Sequence, residues 1–307
     1  MREKRSSILF CAVSFIAVVM LALAAGCIAN PTTETAAGPV TAADAGAQGT
    51  PGQKQTITIS GSTTVLPIVQ KTADEYMATR PSADIQISGG GSGAGIKAIG
   101  AKTVDIGMSS REVKESEMAQ YPGLVVTTVA QDGIAVIVNP KNDIPHITVD
   151  QIADIYLGKI TTWNEIHGAG LAGTSNQIVV IGRDSASGTR SYFDEVILEG
   201  KTASSGMLEK NSNGAVLQTV AQTPGSIGYV SIGFVSNSVK AVPIWYDAST
   251  IVAPTLPNVK ARTYPISRDL YVITNGKPSG PAGDFISYIL GPEGQKIVAD
   301  EGYVTVR

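Results

Sequence analysis

A doubly wound α/β fold is predicted from three features of the sequence. Apolar runs of strand length and segments of helical spacing alternate from residue 55 onward. Glycine and proline, 33 and 16 of 307 residues, punctuate the junctions between them. Hydrophobic residues make up 43% of the chain, enough to fill the core or cores of one large or two ordinary domains.

The elements follow in order. Gln55 to Ser60 alternates as a strand, and Val65 to Arg80 carries apolar residues at helical spacing. Asp84 to Ser88 reads as a strand, Gly95 to Lys102 as a short helix and Val104 to Met108 as a strand. Leu124 to Val129 and Gly133 to Asn139 are two apolar, β-branched runs suited to a buried, largely parallel sheet. Thr148 to Leu157 reads as a helix starting at Thr148 or Asp150. Gln177 to Ile181 forms the strand, and Tyr192 to Leu198 the helix, that flank a polar knot, Arg183-Asp184-Ser185-Ala186-Ser187-Gly188-Thr189-Arg190. Arg268 to Thr274 is strand-like, and Gly283 to Ala299 supplies one or two helices. The chain is expected to pass between compact halves near Asn139-Pro140 and again near Tyr264-Pro265, leaving a cleft of the kind in which α/β proteins bind ligands.

The N-terminus reads as an export signal. Met1-Arg2-Glu3-Lys4-Arg5 is basic, Ile8 to Ala25 is almost wholly apolar, and Leu23-Ala24-Ala25-Gly26-Cys27 ends in small residues and a cysteine. The apolar stretch is long enough to be a membrane anchor instead, but the small residues at its end favour cleavage. Leu23 to Cys27 is similar to a lipobox, in which the cysteine is lipidated; Ala24 departs mildly from the pattern. The chain has two cysteines, Cys11 and Cys27, so the exported form keeps one and forms no internal disulfide. Residues 28–54, rich in Ala, Thr, Gly and Pro, lack apolar periodicity and read as a tether.

A formal net charge of −3 argues against nucleic acid as a partner. The sequence has no cysteine pairs, no HExxH and no acidic calcium loop, so no metal or cofactor is expected. Four polar stretches recur at junctions: Ser60-Gly61-Ser62-Thr63-Thr64, Ser88-Gly89-Gly90-Gly91-Ser92-Gly93-Ala94-Gly95, Gly107-Met108-Ser109-Ser110-Arg111-Glu112, and the knot at 183–190. Each puts Ser, Thr or Gly at an expected helix start, where unpaired N–H groups and the macrodipole favour negative charge. Arg111 and Arg183 add planar donors suited to oxyanions. Any one loop taken alone is more often just an ordinary helix cap. A serine hydrolase is the competing reading, but Ser187 does not lie in a nucleophile elbow, and the two histidines, His146 and His167, read as loop residues.

At these stretches the sequence resembles the phosphate-binding proteins of phosphate-specific ABC transporters, in their shorter form. The matching pieces span Thr56 to Val306: Gly61-Ser62-Thr63-Thr64, Gly91 to Gly95, Asp105 to Arg111, Asp154 to Ile160 through Trp163, Ser187-Gly188-Thr189, Pro224 to Tyr229 and Tyr264 to Arg268. The resemblance implies a two-lobed periplasmic-binding-protein fold of type II with two crossovers. It divides this chain into a signal peptide at 1–27, a linker at 28–54, lobe 1 at 55–137 and 264–307, and lobe 2 at 138–263. It implies a monomer that closes over inorganic phosphate and delivers it to ABC permease subunits from a lipid anchor at Cys27 on the outer face of the membrane. Thr63 and Ser92 would donate hydroxyls, Thr64 a backbone N–H, Arg183 its guanidinium, and Ser187, Gly188 and Thr189 the donors of a helix start. Ser110 and Arg111 complete the set. Longer family members carry an aspartate at the position of Ser110, which accepts the proton of phosphate and helps reject sulfate. A broader oxyanion receptor or a surface sensor is therefore the runner-up, and a secreted phosphoesterase the last alternative.

Overall fold

The computed structural model describes residues 54–167, 176–247 and 250–307. The signal, Cys27 and all but the last residue of the tether lie outside them. Twelve strands and ten α-helices follow in chain order among the described residues: β1 Gln55–Gly61, α1 Leu66–Thr79, β2 Ala83–Ser88, α2 Ser92–Gly100, β3 Ile106–Ser109, α3 Glu115–Gln120, β4 Leu124–Val138, β5 Ile147–Thr148, α4 Val149–Tyr156 and α5 Asn164–His167. Then come β6 Val179–Arg183, α6 Gly188–Val196, β7 Leu208–Lys210, α7 Asn213–Gln222, β8 Ser226–Ser231, β9 Lys240–Ala241, β10 Ile244–Asp247, β11 Thr250–Val252, α8 Leu256–Lys260, β12 Ser267–Asn275, α9 Gly280–Leu290 and α10 Pro292–Asp300.

The main sheet runs β2-β1-β3-β12-β4-β8-β6-β7, with β9 beside β4. It is mixed where the sequence predicts a largely parallel sheet. Two parallel trios, β2-β1-β3 and β8-β6-β7, flank the antiparallel strands β12 and β4. The trios come from strand–helix–strand crossovers, whose geometry requires parallel neighbours. The central pair comes from the chain passing once in each direction, which places those strands antiparallel.

β4 is one strand of 15 residues, not two runs. Leu124 to Gly133 pair with β12, and Ile134 to Val138 pair with β8. The polar Gln131-Asp132 step that interrupts the apolar pattern continues the strand, because Asp132 is buried and paired with Arg268 across the ladder.

Two large hydrophobic cores lie on either side of this step. One gathers Ile57, Ile59, Ile68, Val129, Leu270, Val272 and Phe285, under helices α1 and α9. The other gathers Ile134, Val136, Ile155, Trp163, Phe193, Tyr229 and Tyr264. Within the second, the Trp163 indole N–H donates to Gly225 O at 2.9 Å, tying the Asp154 to Trp163 stretch to the Pro224 to Tyr229 stretch. Phe193 of α6 stacks on Tyr229 of β8 at 4.1 Å between ring centroids. The Arg183 N–H donates to the Tyr229 hydroxyl at 3.2 Å. These contacts fix where β6 ends and α6 begins.

Candidate functional site

Parallel strands point their C-terminal ends the same way, so the loops after β1, β2 and β3 emerge together. The Ser62 N–H donates to Met108 O and the Gly91 N–H to Gly61 O, each at 3.0 Å. Helix α2 lies against this edge with no room for side chains: a Cβ on Gly95 would stand 2.7 Å from Gly61 Cα and 2.8 Å from Met108 O. Its N-cap, Gly91, has φ of 92°, a left-handed conformation that glycine adopts without strain. The Ser110 N–H donates to Ser92 Oγ at 2.9 Å, and the two hydroxyls lie 3.3 Å apart. Three of the four polar stretches are thereby joined.

The fourth meets them from the other core. The Gly93 N–H donates to Ala186 O at 3.0 Å. Thr64 Oγ1 and Thr189 Oγ1 are 3.2 Å apart, and Arg183 Nη2 donates to Thr63 Oγ1 at 3.2 Å. Ser187 caps α6, accepting from the Arg190 N–H at 3.2 Å, which leaves its own O–H and the N–H groups of Gly188 and Thr189 at the helix start. Ser92, Ser110, Arg183, Ser187 and Thr189 are each at most 1% exposed. Thr63, Thr64, Ser92, Ser110, Arg183, Ser187, Gly188 and Thr189 are thus brought together.

Arg183 is the clearest chemical signal among them. Its Nε and Nη2 donate to Lys210 O and Asn211 O, at 3.2 and 3.3 Å, which aims the side chain. Its Nη1 is buried with no hydrogen-bond partner. Burial pushes its proton affinity below the ordinary guanidinium value, opposed by the neighbouring Asp184 carboxylate. The group nevertheless stays charged. A buried donor left unpaired costs about 1–3 kcal/mol, and more on a charged group. An anion seated here would remove that cost.

Arg111 is placed differently. Its Nη1 and Nη2 each donate to Glu117 at 2.7 Å, and Nη1 also reaches Glu112 O at 2.7 Å. Burial raises the Glu117 carboxyl, but Arg111 and the Lys114 N–H outweigh it and hold it below its usual range. The third stretch also opens no helix. Ser109 Oγ donates to Arg111 O and turns the chain, and α3 starts only at Glu115. His146 packs edge-on against Trp245, 4.9 Å between ring centroids. The side chain of His167 lies outside the described residues.

Three site residues escape the sequence reading. Asn213 donates from Nδ2 to Thr64 Oγ1 at 2.9 Å, and its Oδ1 accepts from the Ser231 N–H. Arg268 and Asp132 form a fully buried ion pair, 2.7 Å apart, beside Thr64 and Thr189. For the ion pair, the available signal was the lone charge of Asp132 inside the otherwise apolar run Leu124 to Asn139 and the charged head, Arg268-Asp269, of the strand-like run that ends at Thr274.

Two parallel trios joined through antiparallel crossing strands, with donor loops facing each other between two cores, define a periplasmic-binding-protein architecture. A family model of the PBP superfamily domain matches residues 41–293. The chain is 35% identical to the phosphate-binding protein PstS of Bacillus subtilis, over 81% of this chain and 80% of that one. It is 31% identical to PstS of Borreliella burgdorferi, over 82% and 90%. Among solved structures it is similar to a protein of Clostridium perfringens described as a phosphate ABC transporter substrate-binding protein with bound phosphate (TM-score 0.74, 35% identity, 82% of this chain and 100% of that one). It is also similar to an ABC-type phosphate transport receptor from Vibrio cholerae (TM-score 0.65, 31% identity, 81% and 99%). The chain belongs to the PstS family of phosphate-binding proteins.

Proposed function

We propose that the protein captures inorganic phosphate outside the cytoplasm and hands it to the permease of an ABC transporter, and that it is no enzyme. The observation that carries this reading is the Arg183 Nη1, buried and unpartnered among hydroxyls that arrive from two facing sets of loops. In this reading the anion takes Arg183 Nη1, the hydroxyls of Thr63, Ser92, Ser110, Ser187 and Thr189, and the N–H groups of Gly188 and Thr189; the Thr64 N–H, expected from the sequence to join them, donates to Ser62 Oγ at 3.2 Å instead. Charge-assisted bonds of this kind contribute about 1.5–3 kcal/mol each before the anion's dehydration is subtracted. Arg111, with both terminal nitrogens committed to Glu117, supplies positive potential from behind the site.

Two lobes supply these groups, lobe 1 from 55–137 and 264–307 and lobe 2 from 138–263. The break between the cores, after Ala130 and again after Ile266, supports that division to within several residues. Closure is a hinge motion at the two crossings, β4 and β12. Cys27 carries a lipid that holds the monomer at the outer face of the membrane, with residues 28–54 as its leash.

The test is calorimetric titration of the detergent-solubilised full chain, unfolded and refolded to strip ligand, with phosphate and then sulfate. Tight one-to-one phosphate binding with silent sulfate supports the reading and shows that the neutral Ser110 suffices for discrimination. Comparable binding of both anions overturns it in favour of a general oxyanion receptor. Cys27→Ser is expected to move the protein from the membrane fraction to the soluble one, and retention in the membrane would refute lipid anchoring.

A further inference from the structure

Arg268 approaches the same hydroxyls from the crossing strand β12 and is 3% exposed. Its Nε and Nη2 donate to Asp132 Oδ2 at 3.0 and 2.7 Å. The other Asp132 oxygen accepts from Ser231 Oγ at 2.7 Å and from the Ile232 N–H at 3.3 Å. Both oxygens of that carboxylate are therefore occupied, each by two donors. Arg268 Nη2 also reaches Thr189 Oγ1 at 3.0 Å and Thr64 Oγ1 at 3.4 Å, one hydroxyl from each side of the site. Its Nη1, like that of Arg183, is buried and has no partner. The two guanidiniums lie within electrostatic reach, since the charge of Arg268 adds to the burial that weakens Arg183's hold on its proton.

The proton count points one way. Thr64 Oγ1 accepts from Asn213 Nδ2 and from Arg268 Nη2, so its own O–H is directed at Thr189 Oγ1. Thr189 Oγ1 then accepts from Thr64 and from Arg268, which leaves its O–H to donate elsewhere. Arg268 is paired with the fully used Asp132 and Arg183 lies beside Asp184, whose Oδ1 is buried without a partner, yet each guanidinium keeps a buried Nη1 with no acceptor. A buried donor left in this way is costly until an acceptor meets it.

We propose that Arg268 is a second cationic contact for the bound anion, held in place by Asp132 at the crossing of the lobes, and that through Thr64 and Thr189 it sets the Thr189 hydroxyl as a donor. This rests on the anion-capture reading of the same site. It adds to it one contact residue, Arg268, which reaches the anion from the crossing strand β12.

The experiment uses the full chain in detergent with arginine labelled in 15N, titrated with inorganic phosphate. The Arg268 Nη signals, assigned through their contact with Asp132, are expected to show coupling to 31P across a hydrogen bond. A strut that only braces the hinge gives no such coupling. Arg268→Lys keeps the charge and the pair with Asp132 but loses the planar fork, and is expected to weaken phosphate about ten- to hundredfold. Should Arg268→Lys not fold, the wild-type coupling decides alone. Tight phosphate binding by the wild type with no coupling at Arg268, or with an Arg268→Lys affinity within about threefold, overturns the proposal while leaving phosphate capture intact. Binding of sulfate in place of phosphate overturns the phosphate reading, and the loss in Arg268→Lys measured with sulfate then decides the role of Arg268. A wild type that takes up neither anion overturns both.

Discussion

Gly188→Ala separates closure of the site from folding of its parts. Gly188 is the first residue of α6, and a Cβ there would stand 2.2 Å from Ser92 Oγ, 2.8 Å from Ser92 Cβ and 2.8 Å from Ser110 Oγ. The Ser92 hydroxyl can rotate aside, but its Cβ is fixed to α2, so the two faces must part by several tenths of an ångström. Inserting one methyl into a packed contact costs about 1–3 kcal/mol. At 1.4 kcal/mol per factor of ten, that is a loss in phosphate affinity of roughly five- to 150-fold. The clash exists only between the two faces. Within α6 itself alanine is the better helix former, by up to about 1 kcal/mol. Calorimetric titration should therefore show the weakened phosphate, while the melting temperature without ligand is unchanged or slightly higher. Wild-type affinity in a folded Gly188→Ala protein would refute the close approach of α6 to Ser92 in the bound state. An equal drop in ligand-free stability would show that the contact belongs to the resting fold.

Other outcomes follow from the same geometry. Gly91→Ala meets Ala186 O at 2.5 Å in a left-handed backbone, and should weaken phosphate at least as much as Gly188→Ala; parity with wild type in the titration counts against the Gly93 to Ala186 contact. Arg183→Ala removes the buried cation with the unpartnered Nη1 and should cut affinity at least tenfold, order of magnitude from one lost charge-assisted bond, with an intact circular dichroism spectrum. Arg111→Gln breaks only the pair with Glu117. It should leave affinity within about fivefold and lower the melting temperature by about 2–4 °C, the equivalent of roughly 1 kcal/mol, and a loss as large as that of Arg183→Ala would put Arg111 on the anion. Because the folded-state pKa of Glu117 is depressed, its contribution to stability is present above the ordinary glutamate pKa and disappears as pH falls through the lowered one. The melting difference between wild type and Glu117→Gln should accordingly shrink toward zero in acid, and a constant difference speaks against the ion pair.

Local chemistry made much of this protein legible in its sequence. The β1 and β2 strands, α1 and α4 lie within a residue or two of where period and capping put them, and Thr148 caps α4 with Gln151 as its partner. The apolar period of an element and the side chains at its ends act over a few residues, so sequence carries them. Four Ser-, Thr- and Gly-rich loops could likewise be recognised as donor-rich, and they proved to converge.

Tertiary structure alone decided what depends on distant partners. The run from Leu124 to Asn139 looked like two strands because Asp132 breaks an apolar pattern, and it is one because Arg268, 136 residues later, neutralises that carboxylate in the ladder. Arg111 and Arg183 look alike as arginines beside serines. One is spent on Glu117, and the other ends in a buried nitrogen with no partner. The antiparallel crossing strands that mix the sheet, and the arrival of Arg268 beside Thr64 and Thr189, follow from where the chain crosses between its cores. Sequence thus determined which groups could meet an anion, and the fold determined which of them are free to do so, because a hydrogen-bond donor is available only when no nearer acceptor has already taken it.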